Sequence, residues 1–176
     1  MKKYVPSYLA KSIYDIDLGF FKKIGMKYLF LDLDNTLDSP HTKDPSEKAK
    51  ELINKIKQSG LVPIIFSNNS KKRVSRYAKT LDVGYVYRTL KPFPFAIKKF
   101  IKTENIPITS VIIVGDQVFT DIFCANNAKV KSILTERLTK KDQIVTILNR
   151  LIDKMYRKKI QRNNLSIDWE EYYAKY

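Results

Sequence analysis

The stretch YLFLDLDNTL, residues 28–37, decides the fold. Tyr28, Leu29, Phe30, Leu31 and Leu33 form an apolar run, the pattern of a strand buried on both faces. The run gives way to Asp32, Asp34, Asn35 and Thr36, residue types suited to turns and caps. In a parallel sheet, ligands bind at the carboxyl ends of the strands, which is where this pair of carboxylates emerges.

The same punctuation recurs along the chain. Residues 61–66 (LVPIIF) run into Ser67, Asn68, Asn69 and Ser70, and Pro63 inside that run predicts an edge position or a bulge. Residues 84–87 read as a short strand, 111–114 as a strand ending in Gly115 and Asp116, and 130–134 as a fifth. Helices alternate with them. Asp44 is placed to cap the first, with Pro45 at its first position, Glu47 for a capping box and Gly60 closing it; Ala49, Leu52, Ile53 and Ile56 form its buried face. Ser70 opens a helix to residue 81 that exposes Lys71, Lys72, Arg73, Arg76 and Lys79. Further helices are predicted over 95–102, 120–128 and 140–159. The last is basic, with Ile144, Ile147, Leu148, Leu151, Ile152 and Met155 on one face. Strands alternating with helices imply an α/β domain, residues 27–162, around a five-stranded, mostly parallel sheet with helices on both faces.

Two segments flank it. Residues 1–26 are a lead-in with Leu9, Ile13, Ile16 and Phe20 at roughly helical spacing, either packed on the core or touching lipid. Residues 163–176 form a tail holding Trp169, Tyr172, Tyr173 and Tyr176, which either docks back on the domain or anchors at a membrane interface.

The chain has 176 residues, enough for one real core, and its 44% hydrophobic share fits a globular protein rather than a disordered one. The net charge of +15 favours anionic partners: a lipid surface, a nucleic acid or a phosphorylated substrate. The excess is concentrated. Residues 71–102 hold ten Lys and Arg against one Asp, and residues 129–162 hold eleven against three acids. A single cysteine, Cys124, excludes an intrachain disulfide and a cysteine zinc cluster. No stretch approaches the ~20 apolar residues of a membrane span, and nothing resembles a signal peptide. The expectation is a soluble, cytoplasmic protein, with peripheral contact at an anionic membrane and a merely solvated basic surface as open alternatives.

Asp32, Ser67 and Asp116 all fall at strand ends, with Lys91 past the third strand and Asp121 five residues after Asp116. Asp32, Asp34, Asp116 and Asp121 crowded together repel unless a cation is bound, and oxygen ligands without a His or Cys cluster point to Mg2+. Ser67 and Lys91 can meet phosphoryl oxygens, a carboxylate can take up a phosphoryl group, and a second carboxylate can activate water. These parts suffice for phosphate-ester hydrolysis.

In that order the residues resemble the four motifs of the haloacid dehalogenase-like (HAD) phosphatases. The resemblance implies a three-layer Rossmann-like fold, with Asp32 as nucleophile and Asp34 as general acid and then base. It implies that Ser67, Lys91 and Asn68 hold the phosphate, and that Mg2+ sits on Asp32, Asp116 and the backbone carbonyl of Asp34. Asn35, Thr36 and Gly115 would support the loops, and Asp121 would orient Lys91 or a metal-bound water. Residues 38–44 and the 23 residues between Ser67 and Lys91 are too few for a cap domain, so an open site is expected. Residues 5–37, together with SNNS, KPFPFAI and VGDQVFTDIFCANNA, are similar to the bacterial YqeG-type phosphatases, which resemble the mitochondrial phosphatidylglycerophosphate phosphatase. This implies a lipid head group as substrate. A phosphorylated nucleic-acid end, protein or soluble metabolite is the alternative, and a purely RNA- or ribosome-binding role is a third. His41 reads as a loop residue and Cys124 as a small packing residue.

Overall fold

The computed structural model describes residues 2–139 and 147–175, with residues 147–150 in backbone only. Its strands are β1 (Tyr8–Ala10), β2 (Tyr28–Leu31), β3 (Val62–Phe66), β4 (Gly84–Val86), β5 (Val111–Gly115), β6 (Lys131–Thr135) and β7 (Ile167–Asp168). Its helices are α1 (Leu18–Lys23), α2 (Glu47–Gln58), α3 (Lys71–Leu81), α4 (Phe95–Thr103), α5 (Phe123–Ala128), α6 (Ile147–Arg162) and α7 (Trp169–Lys175). The strands form one parallel sheet in the order β4-β3-β2-β5-β6-β1-β7.

Alternation along β2 explains the three layers. Leu29, Leu31 and Leu33 face a cluster with Phe20 and Phe21 of α1, Ile53 and Ile56 of α2, and Val74 and Tyr77 of α3. Phe30 faces the opposite cluster with Ile97 and Ile101 of α4 and Cys124, Ala125 and Ala128 of α5. A strand covered on both sides has no polar face to show, hence the unbroken apolar run.

The sheet has seven strands rather than five. The two extra ones come from the flanking segments: β1 lies between β6 and β7, pairing Tyr8 with Ile133 and with Ile167. They were hidden because β1 is three residues long and β7 two, too short for a period-2 signal. The lead-in packs on the core, with Ile13, Ile16, Phe20 and Phe21 buried. The tail docks on it as well. Trp169 meets Phe20 at 5.7 Å between ring centres and Tyr172 meets Tyr8 at 5.2 Å, while Tyr173 lies 6.1 Å from Phe20. Tyr176 lies outside the described residues.

Three local expectations are corrected. Pro63 sits in neither an edge strand nor a bulge, because β3 pairs with both β2 and β4. Val62 donates to Lys27 on the β2 side, so Pro63, by alternation, turns its missing donor to the β4 side, where pairing begins only at Ile64. The cap of α2 is Ser46, whose hydroxyl accepts from Ala49 N at 3.2 Å, and Asp44 instead forms a two-pronged pair with Arg76 at 2.7 and 2.6 Å. Helix α6 is rotated from the expected face: Leu151 is 65% exposed and Met155 56%, while Asp153 and Ile160 are buried. The pairing of Asp153 with Val118 N and Arg157 turns that face inward. Ile144 lies outside the described residues.

Candidate active site

Register brings the site together. Leu31 of β2 is level with Ile65 of β3 and Val114 of β5, so Asp32, Ser67 and Asp116 leave three adjacent strands within one residue of each other. The chain steps from β2 outward to β4 and then returns to β5 on the other side of β2, which makes this edge a topological switch point.

Lys91 occupies the centre. Its ammonium donates to Asp32 Oδ1 at 2.6 Å, to Asp121 Oδ1 at 2.6 Å and to the Phe66 carbonyl at 3.1 Å, with all three charged side chains buried. Its backbone is fixed by Asn68, whose Oδ1 accepts from Lys91 N at 2.9 Å and from the Thr89 hydroxyl at 2.7 Å. Asn68 Nδ2 in turn donates to the Lys91 carbonyl at 3.3 Å, so this side chain is spent on the lysine loop. Gly115 has a steric reason: a Cβ there would meet Asp121 Cγ at 2.3 Å. Asp121 also accepts from Gln117 N at 3.1 Å.

Asp34 is half-buried beside this centre and is gripped by two residues that the sequence did not single out for the site. Arg73 of α3 donates to Asp34 Oδ1 at 2.6 Å and Asn69 Nδ2 to Asp34 Oδ2 at 2.6 Å. The Ser67 hydroxyl accepts from Asn69 N and Nδ2 at 3.3 and 3.1 Å, which ties the two strand-end loops together. Asn35 adopts φ 63°, a left-handed conformation that Asn tolerates, and its Oδ1 accepts from Thr139 at 2.8 Å. Thr36 is buried with its hydroxyl unpartnered. His41 is exposed, and Cys124 is packed in the core with burial pushing its thiol up to about 12.

The electrostatics favour a cation. Burial raises the Asp32 carboxyl, Lys91 pulls it down, and Asp121 and Asp34 push it back up, to about 7. Burial, then Asp32, Asp121 and Asp153, hold Asp116 well above the usual carboxylate range against Arg137. Burial alone would lower Lys91, but Asp121 and Asp32 outweigh it and keep it charged. Carboxylate oxygens of Asp32, Asp116 and Asp121 lie within 4.8 Å of one another. When ionised, these three buried carboxylates outnumber the one buried ammonium, an excess of negative charge, and Asp116 Oδ1 is buried without a hydrogen-bond partner. An all-oxygen donor set with that excess and an orphaned oxygen fits a hard divalent cation.

Residues 20–135, well over half of the chain, match the haloacid dehalogenase-like hydrolases. The chain belongs to that family. The probable phosphatase YqeG of Bacillus subtilis (strain 168) is 26% identical over 170 residues, 97% of this chain and 98% of that protein. An uncharacterized protein from Listeria monocytogenes serotype 4b shares the fold at 16% identity, with a TM-score of 0.52 over 76% of this chain and 99% of that one. The N-terminal part of a Bacteroides fragilis protein, containing a phosphatase domain complexed with Mg, does so at 17% identity and a TM-score of 0.52, over 66% of this chain and 37% of that one.

This hydrolase adds support behind the fourth motif from helix α6. Asp153, 1% exposed, accepts from Val118 N at 2.5 Å and from Arg157 Nε at 2.8 Å. Arg157 also donates to the backbone carbonyls of Asp116 and Thr135. Arg137 approaches Asp116 Oδ2 and Asp153 Oδ2, each at 3.8 Å. In the sequence only a charge at helical spacing marks Asp153 and Arg157, and Arg73 stands among five basic residues of α3. Asn69 had the better signal, in the turn directly after Ser67. No helix among the described residues is long and apolar enough to cross a membrane.

Proposed function

We propose that the protein is a Mg2+-dependent phosphomonoester hydrolase working through an aspartyl-phosphate on Asp32, with phosphatidylglycerophosphate as its substrate. The observation that carries the chemistry is the buried Lys91 ammonium bonded to Asp32 Oδ1 at the end of β2, beside Ser67 and Asp34. Lys91 aims the Asp32 carboxylate and, with Ser67, receives the anionic oxygens of the substrate phosphate. Asp32 attacks phosphorus, the ester P–O bond breaks, and the departing alcohol oxygen takes a proton from Asp34. Asp34 then takes a proton from water as that water attacks the phosphorus, which releases inorganic phosphate and restores Asp32. Arg73 and Asn69 hold Asp34 in place for both transfers. Asp32 and Asp116, with the backbone carbonyl of Asp34 that the family likeness implies, would hold Mg2+. Bound there, the ion would neutralise charge on the phosphoryl oxygens and favour ionised carboxylates.

Two features support a lipid head group. Only α3 and β4 lie between Ser67 and Lys91, so no cap domain is inserted there to enclose a small metabolite. The chain carries +15 net charge. The similarity to YqeG along almost the whole chain supports the phosphatase chemistry and not the choice of substrate. The test is phosphate release from phosphatidylglycerophosphate micelles against a panel of soluble phosphomonoesters, with Mg2+ and with EDTA. The expected result is preferential, EDTA-sensitive turnover of the lipid, reduced at least about a thousandfold in Asp32→Asn. Equal or better turnover of soluble esters would remove the lipid substrate, and an active Asp32→Asn would remove the mechanism.

A further inference from the structure

The loop between β4 and α4 has its backbone pinned and its apolar side chains in solvent. Asn68 holds Thr89 and Lys91, Asn127 Nδ2 donates to the Pro92 carbonyl at 3.2 Å, and the Cys124 thiol donates to the Phe93 carbonyl at 3.5 Å. Thr89 and Lys91 point inward, and the residues between and after them point out: Leu90 is 68% exposed, Phe93 57% and Phe95 70%. Phe93 and Phe95 stack at 6.0 Å. Turning Lys91 into the site requires its neighbours to turn outward, but it does not require them to be apolar. Polar residues would satisfy the fold. The same stretch of chain exposes Arg88 before these side chains and Lys98 and Lys99 after them, while Lys71, beside the exposed Lys72 at the start of α3, lies 5.7 Å from the Tyr87 ring. Across residues 71–102 the only acid is Asp82.

We infer that this loop is a membrane-docking wedge: Leu90, Phe93 and Phe95 enter the head-group region of an anionic bilayer while the cations of the same stretch meet lipid phosphates. The inference deepens the lipid reading above and rests on it for its purpose. Clustered apolar tips in a stretch of like charge are the signature of interfacial binding, since apolar insertion and attraction to anionic lipid add. A nucleic acid would use the cations and could stack on the two phenylalanines, but it gives Leu90, the protruding aliphatic tip, nothing to bury against. Because Asn68 bonds both Thr89 and Lys91, one clamp sets the wedge and the lysine of the site. Docking therefore presents the mouth of the site to the head-group layer.

The test is co-sedimentation of the full chain with vesicles of phosphatidylcholine, with and without phosphatidylserine, an anionic lipid that is neither substrate nor product of the proposed reaction. Expected is binding only to the phosphatidylserine vesicles, weakened by salt. The combined variant Leu90→Asn, Phe93→Ser and Phe95→Ser should lower that binding at least tenfold, with melting temperature and turnover of soluble p-nitrophenyl phosphate unchanged. Asn is chosen at position 90 because Leu90 has φ 54°. Absence of wild-type binding, equal binding by the variant, or displacement from the vesicles by a single-stranded oligonucleotide held through the same three residues would overturn the inference. Binding to phosphatidylserine without hydrolysis of phosphatidylglycerophosphate would leave the wedge standing and remove the substrate. Hydrolysis in micelles without vesicle binding would do the reverse.

Discussion

Replacing Gly115 by Ala tests how tightly the centre is built. The new Cβ would lie 2.3 Å from Asp121 Cγ and Oδ2 and 2.7 Å from its Cβ. Asp121 is 1% exposed, on a turn whose neighbours Val118 and Ile122 are fully buried, so it cannot swing into solvent. Restoring ordinary van der Waals distance requires a shift of about 1 Å. The Lys91–Asp121 contact is 2.6 Å and would stretch past hydrogen-bond range, leaving a fully buried ammonium with one carboxylate where it had two. Overpacking alone costs about 1–3 kcal/mol, and weakening a buried ion pair brings the total to about 2–5 kcal/mol. A domain of ordinary stability, about 5–15 kcal/mol, still folds. Urea melts should therefore show a lower midpoint at unchanged slope, and phosphate release should fall about a hundredfold, the usual effect of a 1 Å misplacement of a catalytic group. Gly84→Ala is the control, because its Cβ would meet only Ile64 Cγ1 at 3.7 Å and a Phe100 ring atom at 3.9 Å. A Gly115→Ala protein that melts within about 0.5 kcal/mol of wild type and turns over normally would refute the close packing of Asp121 on β5.

Three further outcomes follow from the same geometry. Arg157→Ala strips Asp153 of its 2.8 Å partner and frees the carbonyls of Asp116 and Thr135, so urea melts should show a loss of about 3–5 kcal/mol, only partly restored by Lys. Arg73→Ala leaves Asp34 with Asn69 alone, so kcat should fall about tenfold while KM changes little; a pure KM effect would assign Arg73 to binding. Asp32 sits at about 7 and Asp116 also above the usual range, so between about pH 4 and pH 7 the folded chain holds protons that the unfolded chain has released. Without metal, stability should then fall as pH rises through that window, and the increase in melting temperature on adding Mg2+ should be large above about pH 7 and small near pH 5. A metal effect independent of pH would contradict it.

What the sequence showed and what it hid have distinct physical causes. Asp32, Ser67 and Asp116 were legible because each interrupts an apolar run buried on both faces, and a polar residue there needs a reason. Lys91 was legible through its place in that order. Arg73, Arg137, Asp153 and Arg157 were not, because a charged residue on a helix or loop looks the same whether it meets water or a buried carboxylate. Asn68 and Asn69 are adjacent, and only backbone geometry sends one to the lysine loop and the other to Asp34. The rotation of α6 escaped for a related reason: hydrophobic periodicity weighs Leu151 and Met155 and cannot weigh Asp153, whose burial is stabilised by Arg157 and Val118 N. Strands β1 and β7 were too short to show a period.

The position of β1 has a consequence for how the chain folds. Its register partner for Tyr8 is Ile133, and Ser7 and Ser132 exchange hydrogen bonds across a separation of 125 residues. The edge beyond it is closed by Ile167 and Asp168. During synthesis, then, β1 has no neighbour to join until residues 131–135 of β6 have emerged. Loop closure grows only slowly with length, so the delay is one of order and not of prohibitive entropy. Residues 8–10 should thus be among the last to gain amide protection on refolding, after the five strands from β2 to β6 have assembled, with the C-terminal segment acting as the latch that completes the sheet.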